Sequence, residues 1–120
     1  MIVLDTSIFT DFLVKFDENR HTIAKNILNI LSEQDFIIFE PFLFDIELCG
    51  ILRRRFDESK VLEIINILKN KVEIVEENEL HNFAFDVALK TKCRAIDSYF
   101  IATAKLTNSI LITNDKIMNE

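Results

Sequence analysis

The sequence predicts an α/β fold, a three-layer α/β/α sandwich built on a small parallel sheet of about four strands. Two observations carry this expectation. Short apolar runs alternate with longer stretches of helical apolar spacing along the whole chain. One glycine and one proline in 120 residues leave too few turn formers for a β-sandwich. Strands separated by helical stretches imply crossover connections, and therefore parallel strands covered on both faces. The chain reads as one domain, residues 1–120.

Ile2-Val3-Leu4 is the first strand candidate, ending at Asp5. From Ser7 to Phe16 the apolar residues Ile8, Phe9, Phe12, Leu13 and Phe16 fall at helical spacing, until Asp17-Glu18-Asn19 breaks the pattern. Ile23, Ile27, Leu28, Ile30 and Leu31 mark a second helix. Phe36-Ile37-Ile38-Phe39 is the second strand candidate, expected to stop at Pro41 because proline lacks a ladder donor. Phe42 to Phe56 reads as a largely apolar helix with the basic end Arg53-Arg54-Arg55, placed to suit the helix dipole. A helix through Val61, Leu62, Ile64, Ile65 and Leu68 precedes a third strand, Val72-Glu73-Ile74-Val75. Leu80, Phe83, Ala84, Val87, Ala88 and Leu89 mark a further helix, and Asp97 opens the next, which carries Ile101, Ala102 and Ala104. Ser109-Ile110-Leu111-Ile112-Thr113 is the fourth strand candidate, followed by Asn114-Asp115.

Twenty acids against fourteen bases give a net charge of −6, which argues against binding nucleic acid by bulk charge alone. An apolar fraction of 49% is ample for a packed core. Cys49 and Cys93 lie far apart without a C-x-x-C pattern or clustered histidines, so neither a zinc site nor a disulfide framework is expected. The N-terminus meets Asp5 without a basic region, and no apolar run approaches the roughly 20 residues of a membrane span. A cytoplasmic protein is the expectation.

Ligands of an open parallel sheet bind beyond the carboxyl ends of its strands. Asp5 and Asp115 follow the first and fourth strand candidates. Asp97 stands at a helix start, and each of the three has a plainer reading as a cap or turn residue. Glu47 lies inside an apolar helical stretch, where an acid needs a partner; a salt bridge to Arg94 or to the 53–55 run is the plain alternative. Asp45 points about 200° away from Glu47 on the same helix, so only one of them faces a given site. Four acids brought to one sheet edge would repel by about 3 kcal/mol per pair at about 6 Å and an effective dielectric of about 20. A cation or raised proton affinities must offset that. All-oxygen donors favour Mg²⁺ or Mn²⁺ over zinc, and such a pocket suits phosphodiester hydrolysis.

The sequence resembles the PIN-domain ribonucleases, and among them the VapC-type toxins of toxin–antitoxin pairs. The matching segments are Val3-Leu4-Asp5-Thr6-Ser7, the helix around Glu47, Asp97-Ser98-Tyr99-Phe100-Ile101-Ala102-Thr103-Ala104, and Leu111-Ile112-Thr113-Asn114-Asp115. They occur in family order over nearly the whole chain. The resemblance implies a PIN-like sandwich in which Asp5, Glu47, Asp97 and Asp115 form an acidic metal site. It also implies help from Thr6, Ser7 and Thr113. The implied activity is Mg²⁺- or Mn²⁺-dependent endonucleolytic cleavage of RNA, with a cognate antitoxin and a second copy of the chain as partners. One departure stands out: relatives continue past the last acid into another short strand, whereas five residues follow Asp115 here. A C-terminal edge strand is therefore expected to be absent or differently built.

In the mechanism expected, Asp5 and Asp97 hold the principal ion, Glu47 and Asp115 flank it, and activated water attacks phosphorus in line without a covalent enzyme intermediate. His21 and His81 lie on polar helical stretches and read as exposed surface residues, leaving no nucleophile–base pair. Arg53, Arg54, Arg55, Arg94, Lys105 and Lys116 are candidates for steering RNA, although any one of them reads more readily as part of a solvated helix face. Tyr99 and the eleven phenylalanines read mainly as packing. A phosphatase using Asp5 as nucleophile would want an acid at position 7, where Ser7 stands. The remaining alternative is a non-catalytic PIN-like module that binds RNA or protein.

Overall fold

The computed structural model describes residues 1–114. Its elements alternate as the apolar pattern predicts: β1 (Ile2–Leu4), α1 (Thr6–Leu13), α2 (Glu18–Glu33), β2 (Ile38–Pro41), α3 (Phe44–Leu52), α4 (Glu58–Lys69), β3 (Glu73–Val75), α5 (Glu77–Thr91), α6 (Ala95–Thr107) and β4 (Ile110–Ile112). The four strands form one parallel sheet in the order β3-β2-β1-β4. Ile2 stands opposite Ile38 and Ile110, and Pro41 opposite Val75.

Alternation along the strands divides the core between two faces. Ile2 and Leu4 pack with Ile8, Phe9, Leu31, Leu48, Val61 and Ile65, under α1 to α4. Val3 packs on the opposite face with Phe44, Phe100 and Ala104, and Val75 joins Leu80, Ala84 and Ala102, under α5 and α6. Tyr99 meets Phe42 edge-on at 5.1 Å, a packing contact as expected. With one glycine in the chain, left-handed helix ends fall to other residues: Lys92 closes α5 at φ 61° and Asn108 closes α6 at φ 54°. Asp57 caps α4, its carboxylate accepting the Lys60 N–H at 2.8 Å.

Two sequence expectations shift. The second strand begins and ends two residues later than the apolar run and includes Pro41. The Phe42 N–H donates to the Val75 carbonyl of β3. Donors alternate sides along a parallel strand, so the missing N–H of Pro41 would have faced β1, whose pairing with β2 has already ended at Val3–Phe39. Proline costs no hydrogen bond there. His21 is half-buried rather than exposed: its Nδ1 lies 3.0 Å from the Asp11 carbonyl and its ring stacks on Phe12 at 6.2 Å. His81 is exposed. The expected departure at the C-terminal edge, with Asp115 and Lys116, lies outside the described residues.

Candidate active site at the strand ends

Parallel strands aim their carboxyl ends the same way, and the crossovers then bring helix starts to that edge. Asp5 follows β1, Glu47 lies in the first turn of α3, and Asp97 lies in the first turn of α6. Each acid therefore sits where unpaired backbone N–H groups lend partial positive charge, which reduces the cost of gathering them.

Asp5 is buried and occupies the cap position of α1, yet its side chain makes no cap hydrogen bond. Two hydroxyls hold it instead. Ser7 Oγ donates to Asp5 Oδ2 at 2.7 Å, and Thr113 Oγ1 donates to the same oxygen at 2.8 Å. The Asp5 N–H donates to the Ile112 carbonyl, so β4 fixes both backbone and side chain. Asp97 is not the cap of α6 either; Arg94 holds that position. Asp97 is buried, and exposed Arg94 reaches its Oδ2 at 3.3 Å.

Glu47 is half-buried and holds its proton above the ordinary carboxylate range. Burial is the main cause; the neighbouring charges of Asp5 and Asp97 add to it, while Thr6 and Arg94 offset part of it. Thr6 Oγ1 is turned to Glu47 without good hydrogen-bond geometry. Glu47 thus feels both other acids, which puts the three predicted carboxylates in one electrostatic neighbourhood. Asp45 points elsewhere and pairs with Lys69 at 3.3 Å, as the helical spacing requires.

The remaining predicted residues are less concentrated. Arg53, Arg54 and Arg55 follow the last turn of α3, at the other end of that helix from Glu47. Arg53 pairs with Glu58 at 3.9 Å and Arg55 lies over the Phe16 ring at 4.7 Å. Lys105 is exposed on α6.

Three residues of this end were not expected from the sequence. Glu40, on β2, is 0% exposed. Its Oε1 accepts the Leu4 N–H at 3.1 Å, and its Oε2 has no hydrogen-bond partner among the described residues. Burial above all pushes its proton affinity well up; the Leu4 N–H works against this, and the charges of Asp5 and Glu47 add to it. Asp11, 5% exposed on α1, accepts Arg20 Nε at 3.0 Å and Asn114 Nδ2 at 2.8 Å on one oxygen. Asn114 also donates its backbone N–H to Ser7 Oγ at 3.1 Å. An acid within an apolar helical or strand pattern was the available signal for Asp11 and Glu40.

The donor set is all oxygen, which fits a hard cation. Among the described residues no three His, Cys, Asp or Glu side chains converge closely enough to wrap one ion. No helix among the described residues is long and apolar enough to cross a membrane.

VapC20 of Mycobacterium tuberculosis, described as a toxin that cleaves the sarcin–ricin loop, superposes with a TM-score of 0.78 at 17% identity, over 99% of this chain and 93% of that one. VapBC2 from Rickettsia felis, solved bound to a DNA fragment from its promoter, gives a TM-score of 0.73 at 17% identity, over 96% of this chain and 88% of that one. At such identity the likeness is one of fold. Among curated proteins no sequence matches. The family model of the PIN domain matches residues 2–120, and the chain belongs to the PIN domain family.

Proposed function

We propose that this protein is a divalent-metal-dependent endoribonuclease, a hydrolase of RNA phosphodiester bonds, acting as the toxin of a type II toxin–antitoxin pair. One observation carries the reading: Asp5, Glu47 and Asp97, drawn from β1, α3 and α6, share one field at the strand ends. Asp115 is the proposed fourth member. Membership of the PIN family and the VapC-like fold support it.

Asp5 and Asp97 are the proposed ligands of Mg²⁺ or Mn²⁺, with Glu47 and Asp115 completing or flanking the site. A bound ion supplies activation of water and charge neutralisation on the phosphate. The chain's own residues prepare that chemistry. Ser7 and Thr113 fix the rotation of the Asp5 carboxylate by engaging one of its oxygens. Arg94, beside Asp97, is the best placed of the described basic candidates to meet a substrate phosphate. Arg53, Arg54, Arg55, Lys105 and Lys116 are proposed to steer RNA from farther out.

A cognate antitoxin and a second copy of the chain are the proposed partners, and the cytoplasm is the proposed place of action. Apolar side chains exposed on α3 and α5, Ile46, Phe85 and Leu89, support protein contacts of this kind.

Single-stranded RNA incubated with wild type and with Asp5→Asn, in Mn²⁺ and in chelator, tests the reading. We expect cleavage that needs the ion and falls by about a thousandfold in the variant. Cleavage that persists in chelator or survives Asp5→Asn rules the mechanism out, and a wild type that binds RNA without cutting it supports a non-catalytic module.

A further inference from the structure

We propose that Asp11 is a positioning residue of the candidate site, holding the chain that leaves β4 against α1. The sheet ladder of β4 ends at Ile112. The next two residues are held by side chains instead. Thr113 Oγ1 reaches Asp5 at 2.8 Å, the Asn114 N–H reaches Ser7 Oγ at 3.1 Å, and the Asn114 amide reaches Asp11 at 2.8 Å. All three acceptors lie on the single stretch from Asp5 to Asp11.

Ser7 links the two halves of this staple. Its oxygen accepts from Asn114 while its hydroxyl donates to Asp5 Oδ2. Displacement of Asn114 therefore reaches the Asp5 carboxylate through one shared hydroxyl.

Asp11 is an expensive choice if packing were its only purpose. A 5% exposed carboxylate loses hydration, and a similar-sized apolar residue would do as well or better for stability. Arg20 compensates the charge at 3.0 Å and leaves Asp11 able to accept a second donor on the same oxygen. Burying an acid to hold one particular donor is a device of geometry. The activity arm of this inference rests on the nuclease reading; the structural arm does not.

The experiment compares wild type, Asp11→Ala, Asp11→Asn and Asn114→Ala in two measurements. The first is steady-state cleavage of a fluorescent single-stranded RNA in Mn²⁺. The second is hydrogen exchange of the Asn114 amide, with the Val3 and Leu4 amides as internal controls for folding. We expect Asp11→Ala to lower kcat by about tenfold to a hundredfold with KM little changed. Its Asn114 amide should exchange about tenfold faster while the β1 amides stay protected. Asp11→Asn keeps an acceptor oxygen for Asn114 and should recover most of both. Asn114→Ala should reproduce the kcat loss, and in combination with Asp11→Ala should add little to it. Asn114→Ala alters a half-exposed residue beyond the strand and carries the test if Asp11→Ala fails to fold. Unchanged kcat in Asp11→Ala, or in Asn114→Ala, overturns the proposal. So does an Asn114 amide indifferent to Asp11. Should the wild type cut no RNA, the nuclease reading falls, and the exchange measurement alone decides the staple.

Discussion

The two ends of the sheet are built on opposite principles. Where the strands begin, α1, α2 and α4 border a half-open, mainly apolar cleft of about 550 Å³, lined by residues such as Phe9, Leu31, Ile38, Ile64, Leu68 and Val72. Where the strands end, Asp5, Glu40 and Asp97 are buried. The hollow is mainly apolar, with Asp35 and Lys71 as the charged residues of its lining, and none of the acids of the candidate site lines it. Cavity size is thus a poor guide to this site. Concentrated buried charge is the better one.

The contrast can be tested from either end. The largest effect belongs to the apolar end. Leu31→Ala, in α2 beside the cavity, should lower stability by about 2–5 kcal/mol. Denaturant unfolding measures this, and RNA cleavage per folded molecule should be unchanged. A comparable loss of cleavage would show that the two ends are coupled.

The next effect belongs to Glu40. Its folded-state proton affinity lies above the unfolded value, so the folded state binds more protons between the two. Stability is then greatest below the ordinary carboxylate range and declines as pH rises through the elevated range. Each such group contributes a slope of up to about 1.4 kcal/mol per pH unit inside its window. Glu47 shifts in the same direction. Glu40→Gln should flatten the stability profile of the metal-free protein above the ordinary carboxylate range. An unchanged slope would mean that Glu40 ionises freely.

A smaller effect is expected at Asp97. Neutralising it as Asp97→Asn relieves repulsion with Glu47 and should raise the metal-free Tm by about 4 °C, while removing the stabilisation given by Mg²⁺. If Mg²⁺ raises Tm equally in both proteins, the ion binds elsewhere. The smallest effect is at Gly50, in α3, where an added Cβ would meet nothing within 4 Å. Gly50→Ala should stabilise the chain by about 0.5–1 kcal/mol through helix propensity alone, a reference against which effects at the acid end can be judged.

The order of strands and helices was legible because each apolar run matched one period and one face. The placing of Asp5, Glu47 and Asp97 at the strand ends was legible for a related reason. Each interrupts a local pattern at a strand end or helix start, where fold geometry directs side chains to one edge. Asp11 and Glu40 interrupt patterns too, but their partners are remote in sequence. Asn114 lies 103 residues from Asp11, and Leu4 lies 36 from Glu40. Local spacing carries no information on such pairs. Pro41 misled for the opposite reason: its ring forbids a hydrogen bond that this strand does not need at that point. His21 read as surface because the Phe12 ring and Asp11 carbonyl that cover it belong to the preceding helix.

The central strand β1 is made first by the ribosome, and its neighbour β4 comes more than a hundred residues later. A growing chain that has not yet emerged to Thr113 lacks both the carbonyl that receives the Asp5 amide and the hydroxyl that orients its carboxylate. The surroundings of Asp5 are therefore completed late, by a segment that the chain supplies only after nearly all the rest of the fold.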